Sequence, residues 1–244
     1  SPISYGAPRA RCPSVIPFSG LPMPNQQTRE TAIMTIQILQ LPLGPLQTNC
    51  YILACIATNQ VAVIDPAWDG HTIAMQVENK GWTISHILLT HTHFDHVGGL
   101  AELKERSGAP IYAHPESLPM LERAPKSAAL WGFTIDPPPP PDALLKEGDE
   151  IAIGNLRAGV LFTPGHAPGH VCFHVSEHHV LFDGDVLFQG SIGRTDLPGG
   201  DYDLLMDNIR TKLLVLADNT VVLSGHGPAT TIGEERRVNP FLQE

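Results

Sequence analysis

The chain alternates between apolar runs and short polar breaks, with few long stretches of either. TIQILQLPLG, NCYILAC and QVAVIDP are β-rich runs cut by Gly, Pro and Asn, and they predict a meander of strands near the N-terminal side. HTIAMQVENKG has helical periodicity and stops at Gly81, and VGGLAELKERSG reads as a second helix ending at Gly108. Between them ISHILLT is a strand, and APIYAH is another. Five consecutive prolines, 137 to 141, predict an extended surface loop. Strands resume in EIAIG, LRAGVLFTPG, HVCFHVS and HVLFDGDVLF. A helix over DYDLLMDNIRTKLLVLA and a strand in NTVVLSGHG follow. Helices alternate with strands in both halves, so the pattern predicts α/β layers with sheet enclosed by helices.

Residues 1–32 break this texture. They are rich in Pro, Ser and Gly without apolar periodicity and read as a flexible leader, with a folded domain over 33–244. At 244 residues and 42% hydrophobic, the chain can bury one large core or two modest ones. A net charge of −10 argues against a nucleic-acid surface. No apolar run approaches the ~18–20 residues of a membrane span, and no secretory signal opens the chain. The four cysteines show no C-x-x-C spacing, so a reduced, cytoplasmic setting is expected, with oligomeric state left open.

One stretch stands apart. In LLTHTHFDHVGG a buried-type strand runs straight into His91, His93, Asp95 and His96. Imidazole and carboxylate are ordinary zinc or iron ligands. His91 and His93, two apart on extended chain, point the same way. Four such donors do not fit one tetrahedral shell, so the spacing invites two ions side by side. His166 in FTPGHAPGH, Asp185 in LFDGDVLF and His226 in VVLSGHGP sit where apolar runs break at Gly or Pro, the strand-end positions that carry function in α/β folds. Of the twelve histidines, His71, His86, His178 and His179 read as solvated or packing residues, and His114 and His174 as core-edge groups. His170 could orient its neighbour His166, although a structural role is the simpler reading.

T-H-T-H-F-D-H at 90–96, P-G-H at 164–166, G-D at 184–185 and G-H-G at 225–227, with VIDP at 63–66, resemble the metallo-β-lactamase fold superfamily over about residues 34–244. The resemblance implies a four-layer αββα sandwich with the metals at one edge between the two sheets. It also implies a first ion on His91, His93 and His166, and a second on Asp95, His96 and His226. Asp185 would bridge them, and Asp65 would fix the tautomer of a ligand histidine. LFQGSIGRTDLPGGD and GHGPATTIGEERRVNPFL look most like the glyoxalase II (hydroxyacylglutathione hydrolase) group, in its short YcbL-like bacterial branch. Arg194 and Asp196 stand where long glyoxalase II enzymes place a lysine and a tyrosine, so an altered grip on glutathione is expected.

Two dications sharing a water lower its pKa from about 16 towards 7 and make a bridging hydroxide available at neutral pH. Oriented by Asp95 and Asp185, it would attack a thioester carbonyl such as that of S-lactoylglutathione. A thiolate leaves readily, its conjugate pKa being about 8.5. Arg194 suits bidentate capture of a substrate carboxylate, or else a salt bridge to Asp196 or Asp201. The expected cofactors are two divalent ions, zinc first, with iron or mixed iron/zinc as options. The competing readings are a persulfide dioxygenase with one iron on His91, His166 and Asp185, and a β-lactamase.

Overall fold

The computed structural model describes residues 14–15 and 36–243. Its first sheet has seven strands in chain order: β1 (Ser14–Val15), β2 (Ile36–Leu43), β3 (Thr48–Cys55), β4 (Gln60–Ile64), β5 (Thr83–Leu88), β6 (Ile111–Ala113) and β7 (Ala143–Leu144). β2 and β3 pair antiparallel along their full length, from Ile36 opposite Cys55 to Leu43 opposite Thr48. The pairs from β4 to β7 are parallel and need crossovers. These are α1 (Gly70–Glu78), the consecutive helices α2 (Phe94–Val97) and α3 (Leu100–Ser107), and α4 (Leu118–Leu130). Within the span expected to be a flexible leader, Ser14 and Val15 pair with Gln40 and Leu39; the rest of that span lies outside the described residues.

The second sheet holds β8 (Glu150–Ile153), β9 (Leu156–Phe162), β10 (Val171–Val175), β11 (Val180–Gly184), β14 (Val221–Ser224) and β15 (Thr230–Thr231), ordered 15-14-11-10-9-8. A small hairpin, β12 (Leu187–Phe188) with β13 (Ser191–Ile192), follows β11. Helix α5 (Tyr202–Asn208), continued by a π turn over Ile209–Leu213, links β11 to its parallel neighbour β14. Helix α6 (Ile232–Val238) follows β15.

Four layers follow from the period of two along each strand. In β3, Cys50, Ile52 and Ala54 face a core shared with Ile73 and Val77 of α1, Leu100 and Leu103 of α3, and Leu121 and Ala124 of α4. The alternate residues Tyr51, Leu53 and Cys55 face a core between the sheets, with Val171, Phe173 and Phe182 from the opposite side. Cys172, Leu181 and Val222 point outward to a third core with Leu205, Met206 and Ile209. The two sheets are therefore buried on both faces, with helices outside each. This is the αββα sandwich.

Two helices are absent from the sequence pattern. Pro119 and Pro125 obscure α4, yet Pro119 occupies its first turn, where a missing N–H costs nothing. Helix α6 is short and starts in a T-I-G-E segment, in which Thr231 accepts a hydrogen bond from the Glu234 amide. The predicted helix through Val97–Ser107 is broken at Gly98 and Gly99 into α2 and α3. No described helix is long and apolar enough to cross a membrane.

Candidate metal centre

Four strands release their chains at one rim of the sandwich. β5 of the first sheet leads into His91, His93, Asp95 and His96. From the second sheet, β9 leads to His166, β11 to Asp185 and β14 to His226. Residues up to 135 positions apart in the chain meet there because both sheets end at the same rim. Glycine makes the convergence possible. Gly184 has φ +55, and a Cβ on it would lie 2.5 Å from Thr90 Oγ1; a Cβ on Gly225 would lie 2.3 Å from Asp185 Oδ1.

Hydrogen bonds from behind decide which nitrogen His91, His96 and His166 present. The carbonyl of Arg194 can only accept, so His166 donates through Nδ1 at 2.7 Å and turns Nε2 inward. Asp65 receives Thr90 Oγ1–H at 2.6 Å, which leaves that hydroxyl oxygen to accept from His91 Nδ1 at 3.1 Å. Asp65 also accepts from His96 Nδ1 at 2.9 Å. The inward atoms then crowd together: His93 Nδ1 lies 3.1 Å from His91 Nε2 and 3.0 Å from His166 Nε2. Neither His91 nor His166 has a proton to offer there, so two bare nitrogens converge on His93 Nδ1, a donor set that suits a cation.

A second group forms beside it from Asp95, His96 and His226, whose ligand atoms lie within 4.8 Å of one another, as do those of His91, His93 and His166. Asp95 Oδ2 is 3.2 Å from His226 Nε2 and 3.7 Å from His96 Nε2. Asp185 reaches both groups. Its Oδ1 is 3.5 Å from His96 Nε2, and its Oδ2 is 3.6 Å from both His166 Nε2 and His226 Nε2. His96 Nε2 and Asp185 Oδ1 are buried and have no hydrogen-bond partner among the described residues. Buried polar groups are otherwise satisfied almost everywhere in proteins. Two orphaned lone-pair atoms, aimed into one space among further N and O donors, fit a pair of divalent ions.

The local field points the same way. Burial, then the neighbouring His96 and His93, holds His91 well below the ordinary histidine range. Burial and His166 push His93 down to about 4. Burial opposes the charge on Asp95, but His96 and His226 outweigh it and bring the carboxyl down to about 2. His96 is raised well above its usual value in spite of burial, by Asp185 and Asp95. His91 and His93 are thus neutral and Asp95 is ionised, the states that metal ligation requires, whereas His96 holds a proton that a bound cation would displace.

The family model described as Metallo-beta-lactamase superfamily matches residues 43–226. The chain belongs to the metallo-beta-lactamase superfamily. Among relatives in that superfamily, a probable metallo-hydrolase, YqgX, of Bacillus subtilis is 43% identical over 205 residues, covering 83% of this chain and 96% of the relative. The hydroxyacylglutathione hydrolase GloC of Haemophilus influenzae is 41% identical over 211 residues, 86% of this chain and 98% of its own. Among solved structures, the BLEG-1 B3 metallo-beta-lactamase superposes with TM-score 0.80 at 42% identity, covering 85% of this chain and all of that one. TTHA1623 in a di-iron-bound form gives 0.76 at 43%, covering 83% and 99%. ETHE1 from Myxococcus xanthus gives 0.69 at 29%, covering 83% of each.

Two contacts of this rim carry no signal in the sequence pattern, and a third carries a faint one. Thr90 joins Asp65 to His91, and Thr48 donates to Asp95 Oδ2 at 2.8 Å. His170 accepts the Asp185 backbone N–H through Nε2 at 3.2 Å and donates through Nδ1 to Thr163. Its position four after His166, at the start of an apolar strand, was the available hint. Arg194 is exposed and forms a two-pronged pair with Asp196 at 2.7 and 2.8 Å, whereas Asp201 caps α5.

Proposed function

We propose that the chain is a dinuclear metallohydrolase that cleaves thioesters of the hydroxyacylglutathione type, S-lactoylglutathione among them. The observation that carries this reading is the Asp185 carboxylate, whose two oxygens reach His96, His166 and His226 at 3.5–3.6 Å and so span both donor groups. His91, His93 and His166 would hold one ion, Asp95, His96 and His226 the other, with Asp185 shared. Bound there, two dications, zinc or iron, supply Lewis acidity and a water acidified to near neutral pH.

The side chains then divide the remaining work. Asp95, held at about 2, stays ionised at any physiological pH. It therefore orients an attacking water as an acceptor and does not keep the proton. Asp185, also depressed, does the same from the opposite sheet. Asp65 keeps His96 presenting Nε2 by accepting its other N–H. A departing thiolate needs no strong acid, so neither depressed carboxylate has to supply a proton. Asp196 engages Nε and Nη2 of Arg194, leaving Nη1 as the face for an anionic substrate group. The 41% identity to GloC, over nearly the whole relative, supports the glutathione thioester.

Lactam hydrolysis is the second reading, favoured by the likeness to BLEG-1. Elemental analysis beside S-lactoylglutathione and nitrocefin assays decides among the readings. Two ions with thiol release support the thioesterase. Nitrocefin turnover without thiol release transfers the function to lactams. One iron per chain with oxygen uptake on glutathione persulfide overturns both.

A further inference from the structure

Two adjacent residues at the start of β3 touch only one half of the metal centre. Thr48 and Asn49 are buried, 1% and 2% exposed. They belong to the first sheet, yet Asn49 reaches across to the turn that carries His226 on the second. Its backbone N–H donates to Gly225 O at 2.7 Å, and its side-chain amide donates to Ser224 O at 2.9 Å and Gly227 O at 3.0 Å. The amide thus brackets Gly225 and His226 from both sides. Thr48 donates its hydroxyl to Asp95 Oδ2, the same oxygen that faces His226 and His96. Neither residue hydrogen-bonds to His91, His93 or His166.

We propose that Thr48 and Asn49 are positioning residues for one ion of the pair, the one that Asp95, His96 and His226 would hold, and set its affinity independently of the other. Thr48 fixes the rotation of the Asp95 carboxylate; Asn49 fixes the height of the His226 turn relative to it. Without these hydrogen bonds two of the three donors lose their alignment, while the three histidines of the neighbouring group keep theirs. The inference rests on the two-ion reading above.

The test is a zinc titration of the full chain against a chromophoric chelator, with ions counted by elemental analysis. The unmodified protein, measured first, binds two ions in two steps. Thr48→Val, which exchanges the hydroxyl for a methyl of similar size, leaves one of the two steps unchanged. Its other step shifts by about tenfold or more, the usual cost of losing a hydrogen bond behind a ligand. Thr48→Ser restores the step. Asn49→Ala, with native circular dichroism confirmed, shifts the same step. Equal weakening of both steps, or both Thr48→Val steps within twofold of the unmodified protein, overturns the inference and leaves the two-ion reading standing. One ion per chain in the unmodified protein overturns both, and two ions bound in one unresolved step overturns the independence inferred here.

Discussion

The imidazole of His170 lies almost flat against that of His91, with ring centroids 4.9 Å apart and planes 24° from parallel. Its Nε2 meanwhile accepts the backbone N–H of Asp185. One buried ring therefore sets the position of a donor from each sheet. His170→Phe keeps a stacking surface but orphans the Asp185 amide, at a cost of roughly 1–3 kcal/mol. Chelator competition should show metal affinity lowered by about tenfold, with a drop in thermal midpoint. An unchanged affinity would reduce His170 to packing.

Asp185→Asn removes the one negative charge that faces both donor groups. Both metal content and thioester turnover should fall, metal content by elemental analysis and turnover by thiol release. Full loading at the native rate would rule the bridging role out.

Gly225→Ala places a methyl 2.3 Å from Asp185 Oδ1 and 2.5 Å from His96 Cε1. The intruder is next to two donors, so weaker metal retention should accompany a lower melting temperature. If melting falls but retention holds, the turn has shifted without disturbing the donors.

His93 should titrate near 4 in chelator-treated protein, against an ordinary value near 6.5, because burial and then His166 and His96 disfavour its charged form. The unfolded chain then binds more protons than the folded one between those values. The His93 contribution to stability is complete above 6.5 and declines as pH falls through 4. His96 runs oppositely: its value is raised, so its contribution is present below its unfolded value and is lost as pH climbs through the folded one. Histidine Cε1 shifts in an NMR titration check this, and a His93 midpoint near 6.5 contradicts it.

The longer strands and the helical stretches before β6 were legible because each apolar run is short and ends at a polar or turn residue, whereas the two-residue strands β1, β7, β13 and β15 are too short to show a period. The residues that converge on the rim were legible for a related reason: each stands where an apolar run breaks, and H-x-H-x-D-H is too dense to be solvated chance. Helix α4 was not, since Pro125 inside it argues locally for a break that packing of Leu121, Ala124 and Ala128 overrides. Helix α6 could have been found from Thr231 and Glu234, which have the spacing of a capping box. Thr48, Thr90 and His170 matter only through partners 15 to 47 positions away or through a neighbour's tautomer, and periodicity carries no such information.

Four of the seven converging donors hang from one sheet and three from the other, across the seam between them. A cation seated among them acts as a rivet through both leaves of the sandwich. Depriving the protein of metal would then loosen the whole body along that seam, so nutritional scarcity of the ion would shorten the lifetime of the fold and not merely idle it.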